Sequence, residues 1–353
     1  MISRVHRICN FFFLIIFFYL IFSSAACVKD NYLNKNPDAL TGDGILSWPP
    51  HDPRIQLIKT IRSPADLGIQ NSWFRKAVNT ILGREEYGEQ MLRPYGIFAD
   101  SEIIYVTDPG VACIHIFDVK RKKYSRICEI DGEALMSPIG ITVNAKGQIF
   151  LSDSVLKNVF VFDREGKYLR SIVPPDGFIR PTGIAIDEDR IYVVDTHRHQ
   201  VFVFSQSTGL YLFRFGTHGS AKGEFNYPTN IFFGKDNLLY ILDSMNFRVQ
   251  IFNREGEFIS SFGKLGDGSG NFSKPKGVAV DSEGNIYITD ANFDIVQIFD
   301  RNGKLLLWFG SSGSGNGDFF IPAGIFIDSK DRVYIADSYN NRIQIFQYLK
   351  RQK

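Results

Sequence analysis

Of six histidines in this 353-residue chain, His51, His115, His197, His199 and His218 lie beyond the first thirty residues. A metal-dependent lyase needs imidazoles or carboxylates from separate segments to converge on one ion. Only His197, His199 and His218 are spaced to attempt this, and loop histidines exposed to solvent are the plainer reading of the same spacing. A calcium-dependent hydrolase would want several acidic or amide side chains at equivalent positions, where Asn230 stands alone. Six aspartates, Asp108, Asp153, Asp195, Asp243, Asp290 and Asp337, recur in one slot of a repeat. Six copies of one carboxylate point to acceptors for main-chain N–H groups rather than to catalysis. The stretches Gly263 to Gly270 and Gly310 to Gly317 imitate phosphate loops without the strand-then-helix setting that such loops require. No catalytic residue, metal or cofactor is assigned.

The elements that position these residues come from a repeat. Pro94, Pro138, Pro181, Pro228, Pro275 and Pro322 follow one another at steps of 44, 43, 47, 47 and 47 residues. Each opens an apolar run, a turn, a second apolar run ending in aspartate, and a third ending in phenylalanine. Short strands repeating at this period predict an all-β, six-bladed β-propeller, one blade per repeat. The middle blades carry a fourth strand after the third, as in Glu257 to Gly263. The last has only a short tail after Phe346. Residues 54–62, including Ile55-Gln-Leu-Ile-Lys-Thr-Ile-Arg62, are therefore expected to supply the outer strand of blade six and close the ring. The apolar pairs Trp73/Phe74, Ala77/Val78 and Ile81/Leu82 recur every four residues and predict one short helix at about 71–82, before blade one. The propeller is expected to span 54–348.

Arg4, His6 and Arg7 precede the apolar run Phe11 to Phe22, too short to span a bilayer and suited to a secretory signal over 1–26. The small residues before Cys27 resemble a bacterial lipoprotein cleavage site, so Cys27 is the expected lipidation site; simple secretion is the alternative. Residues 27–53 read as a flexible tether. Export to a cell envelope, with a lipid anchor in a membrane, is the implied localisation. Cys113 and Cys128 fall on the third and fourth strands of repeat one. If Asp118 faces Lys123, the same register sets Cys113 opposite Cys128, close enough to bridge; two buried thiols are the other reading. Lys and Arg total 40 against 38 Asp and Glu. Without Arg4 and Arg7 the balance is even, which leaves no global field for a nucleic acid partner.

The pattern from Pro through Asp-Ser-x-Asn-x-Arg resembles the NHL repeat, most closely at Asp243-Ser-Met-Asn-Phe-Arg248-Val-Gln-Ile-Phe and Asp337-Ser-Tyr-Asn-Asn-Arg342-Ile-Gln-Ile-Phe. The resemblance implies the six-bladed fold and leaves activity open, since NHL propellers include binding modules, sensors and a lyase. Propellers of this kind present ligands to the loops before the inner strand and after the second. Here that face should carry Arg93, Tyr95, Arg180, His197, Arg198, His199, Tyr227, Asn230, Lys276 and Tyr339. The expected function is a binding or scaffolding module for an envelope protein, a glycan or a small ligand. A propeller lyase or hydrolase with an axial metal is the alternative.

Overall fold

In a computed structural model the described residues are 46–69 and 89–350. The signal segment, Cys27, most of the tether and the helix expected at 71–82 lie outside them. Six antiparallel sheets follow in chain order. Blade one is Ile97–Ala99, Ile103–Asp108, Cys113–Asp118 and Lys123–Ile127. Blades two to five start from the inner strands Pro138–Val143, Pro181–Ile186, Pro228–Phe233 and Pro275–Val280, each followed outward by three more strands. Blade six runs outward from Pro322–Ile327 through Arg332–Asp337 and Arg342–Tyr348. Its next strand is Ile55–Ile61, antiparallel to Arg342–Tyr348 with Ile61 opposite Ile343. The ring therefore closes through the N-terminal strand.

One boundary needs correcting. Residues 46–53 are not tether: Ser47–Trp48 adds a fifth strand to blade six, with Trp48 opposite Ile55. Trp48 is buried, its ring 5.8 Å from those of both Phe309 and Phe346. An indole with that much apolar surface gains more from the wedge between blades five and six than from solvent.

The blades meet near the axis through small residues. A Cβ on Gly96 would stand 2.2 Å from the Ile139 carbonyl, and one on Gly140 2.2 Å from that of Thr182. At Gly324 the distance to the Tyr95 carbonyl would be 2.1 Å. Only glycine lets neighbouring inner strands come this close. Farther out, Tyr105, Tyr192, Tyr240, Tyr287 and Tyr334 repeat in the middle of the second strands and are fully buried. Each occupies the space between two blades, so the core is six inter-blade wedges arranged around an axis.

Candidate functional site

The axis holds a cavity of about 420 Å³. One mouth is lined by Tyr95, Ile139 and Thr229, the residues that follow the marker prolines, and the other end by Asp100, Lys235 and Ser329. Between them the wall is the inner strands themselves. Four residues after each proline the six copies read Phe98, Thr142, Ala185, Phe232, Ala279 and Phe326. The three phenylalanines gather at the axis, with Phe326 4.9 Å from Phe98 and 6.3 Å from Phe232, ring centre to ring centre. Each keeps part of its ring open to the cavity.

Asn230 is the one side chain at the glycine position. Its Oδ1 accepts a hydrogen bond from the Val278 N–H of blade five at 3.2 Å. The Asn230 side chain therefore reaches across to the inner strand of blade five, two residues from Lys276. Lys276 follows Pro275 and so occupies the mouth position that Tyr95, Ile139 and Thr229 hold in their own blades. Burial depresses its ammonium pKa, and the nearby charges of Lys274 and Arg180 depress it further. Burial raises the Tyr95 phenol, with Arg180 opposing. Arg180 therefore acts on both groups at this mouth. Among the described ion pairs none involves Arg180, Lys274 or Lys276.

The recurrent aspartates are spent on the fold. Asp153 accepts from the N–H groups of Met136, Ser137, Val155 and Leu156 at 2.9–3.0 Å. Asp195 accepts from those of Ile179, Arg180 and Arg198 at 2.7, 2.9 and 3.2 Å. Each carboxylate thus ties its own loop to the loop before its inner strand. Burial raises the Asp290 pKa although Ser273, Lys274 and Asn292 donate to it. At Asp108 burial works the same way, but His115 and the N–H groups of Leu92 and Arg93 prevail and lower it. His115 itself is buried, its Nδ1 2.7 Å from the Tyr124 hydroxyl.

Arg342 is wholly buried; its Nε donates to Asp337 at 2.6 Å, and its other nitrogens donate to the carbonyls of Ser314, Gly315 and Asp318. Arg248 repeats this with Asp243 and the carbonyls of Ser220, Ala221 and Glu224. Asn246 and Asn340 complete the set by donating to Asp243 and Asp337. The Asp, Asn and Arg of the repeat signature thus form one unit that fastens the inter-blade loop. Residues 178–246 and 234–296 match the family described as 6-bladed beta-propeller, and residues 321–346 match the NHL repeat. The chain folds as a six-bladed β-propeller and carries an NHL repeat.

Among solved structures, this propeller is similar to an auxiliary nutrient binding protein from Bacteroides thetaiotaomicron, at 15% identity and a TM-score of 0.57 over 74% of this chain and 70% of that one. A streptogramin B lyase is similar at 13% identity and a TM-score of 0.55, over 73% of this chain and 94% of the lyase. At these identities the likeness is one of fold.

The expected face residues separate into groups. Arg93 stacks over Tyr339, its guanidinium carbon 5.4 Å from the ring centre. Arg198 is engaged internally, with Nη2 donating to the carbonyls of Asp176 and Gly177 at 2.7 and 3.0 Å and Nη1 3.2 Å from Asp176. His199 lies 4.3 Å from His218 and 4.7 Å from Tyr227, ring to ring, and its Nδ1 accepts the Tyr227 N–H. His197 sits 5.7 Å from Tyr227. Burial lowers the His199 pKa, and His218 and His197 add to it. Among the described residues no three His, Cys, Asp or Glu side chains are placed to share a metal ion. Cys113 and Cys128 are joined as a disulfide, with Asp118 opposite Lys123 in the same hairpin.

Two features went unread in the sequence. Phe98, Phe232 and Phe326 were open to view as disagreement among the copies at one inner-strand position. Leu92, Met136, Ile179 and Phe320, each two residues before a marker proline, are exposed on the same face as Tyr227, Met245 and Tyr339.

Proposed function

We propose that this NHL propeller is a cell-envelope binding protein, held at a membrane through lipidated Cys27, that captures a small ligand at the mouth of its axial cavity without catalysis. The observation that carries the reading is the cavity. Its volume lies in the range that encloses small-molecule ligands, while the carboxylates around its mouth are committed to main-chain hydrogen bonds. The likeness to nutrient-binding propellers supports it. The test is the thermal transition of the full-length protein across panels of small carboxylates, sugars and peptides. A stabilising ligand should lose its effect in Ile139→Trp, which narrows the mouth; stabilisation that survives this change refutes the axial placement. An envelope protein or glycan partner would instead be captured equally by both forms. Palmitate labelling that disappears in Cys27→Ala tests the anchor.

The His199–His218 pair with Tyr227 favours a second reading, a lyase whose acid–base group is one of these imidazoles. Turnover of a candidate substrate that persists in the His199→Ala, His218→Ala double variant would exclude it.

A further inference from the structure

The mouth of the cavity departs from the repeat at two adjoining places. Blade four carries Asn230 where the other five blades have glycine, and blade five places Lys276 two residues before Val278, which Asn230 contacts. The Oδ1 of Asn230 is fixed by Val278, so its amide NH₂ is oriented away from that bond, and it has no hydrogen-bond partner among the described residues. Lys276 is half buried without a carboxylate partner. Arg180 approaches the same mouth from blade three, and its charge reaches Tyr95 of blade one. A partly desolvated ammonium left unpaired is unfavourable for the empty protein and favourable for an incoming anion. Directly beneath, the wall is apolar and includes the rings of Phe98, Phe232 and Phe326.

We infer that the mouth is an anion seat, in which Lys276, Arg180 and the amide of Asn230 hold the headgroup of a soluble amphiphile whose apolar body enters the cavity among Phe98, Phe232 and Phe326. The inference rests on the axial-binding reading above and names its ligand class: one carboxylate, phosphate or sulfonate on an aromatic or aliphatic body. The cations select charge, and the cavity selects apolar bulk. Neither inorganic phosphate nor a neutral hydrocarbon satisfies both.

The test compares two probes with the same apolar body on the full-length protein: 8-anilinonaphthalene-1-sulfonate and uncharged N-phenyl-1-naphthylamine. Fluorescence titration should show one site with the sulfonate bound at least about tenfold tighter, the scale of a single charge-assisted contact. In Lys276→Met and in exposed Arg180→Gln the preference should shrink towards parity, while the neutral probe binds as before. Ile139→Trp should weaken both probes. Displacement by decanoate or by decyl phosphate then identifies the preferred headgroup. Equal affinity for the two probes in the unaltered protein overturns the anion seat and leaves axial binding standing. Absence of binding by either probe overturns both. Co-sedimentation with phosphatidylglycerol vesicles that exceeds binding of soluble decyl phosphate would assign the cations to a bilayer surface and refute the proposal.

Discussion

Gly140→Ala tests the closeness of the blades at the axis. The added methyl would lie 2.2 Å from the Thr182 carbonyl oxygen, 2.9 Å from the Ser152 hydroxyl and 3.1 Å from an Ile184 methyl. The first is main chain of the next blade and cannot rotate away. Restoring ordinary contact needs a separation of roughly 1 Å between the two inner strands, an overpacking displacement that costs about 1–3 kcal/mol. The same movement disturbs the Ser152 hydroxyl's hydrogen bond to that carbonyl, worth about 1 kcal/mol. A closed ring passes the displacement to the other interfaces, so the sum, about 2–4 kcal/mol, has little room to relax. Urea unfolding followed by tyrosine and tryptophan fluorescence measures it. Gly268→Ala is the control: Gly268 is exposed, its nearest contact would be the Asn271 side-chain nitrogen at 3.3 Å, and the change should fall within about 0.5 kcal/mol of the parent. Equal stabilities for the two variants would refute the glycine account of blade packing.

Trp48→Ala should cost about 3–5 kcal/mol by opening a cavity between Phe309 and Phe346, read from the same unfolding curves; a loss under about 1 kcal/mol would mean that the fifth strand of blade six is dispensable. Reducing the Cys113–Cys128 bridge, or replacing both cysteines with serine, should cost about 3 kcal/mol for a loop closed at a separation of 15 residues; mass spectrometry without a disulfide in the parent would remove the premise. Lys276 has a folded-state pKa below that of the unfolded chain, so the unfolded state binds more protons between those two values. Its contribution therefore makes stability rise with pH across that window. Lys276→Met should accordingly raise the transition temperature at neutral pH and flatten that rise, and a lowered transition temperature would count against a desolvated, unpaired ammonium.

The sequence made the ring legible because each blade repeats the same packing problem and solves it with the same residues. Proline, glycine, tyrosine and aspartate return at fixed offsets, and the missing last strand of the sixth repeat announced its replacement near the N-terminus. The extra strand at Ser47–Trp48 was hidden by two prolines and by its length, too short to show alternation. The mouth was half legible. Their place after the marker prolines points to Tyr95, Lys276 and Asn230, and of these Tyr95 and Asn230 line the cavity. Arg198 carries the same charge as Arg180, yet its bonds to Asp176 and Gly177 depend on a loop approach that no local pattern encodes. Nor does the periodicity reveal that three phenylalanines from blades one, four and six meet, because the distance across an axis is fixed by ring closure.

The strand that closes blade six also sets an order of events. Ile55–Ile61 pairs with Arg342–Tyr348, so this N-terminal strand must wait for the last, across nearly the whole domain. Contacts of such sequence separation form slowly, since the loop must close before they contribute. Five blades can assemble as the chain emerges, but the sixth cannot, and until then the edge of Ile55–Ile61 that faces Arg342–Tyr348 stays open. A chain that stops short of Arg342 keeps that edge permanently and is open to pairing with other chains. The clasp thereby makes full length a condition for leaving the aggregation-prone state.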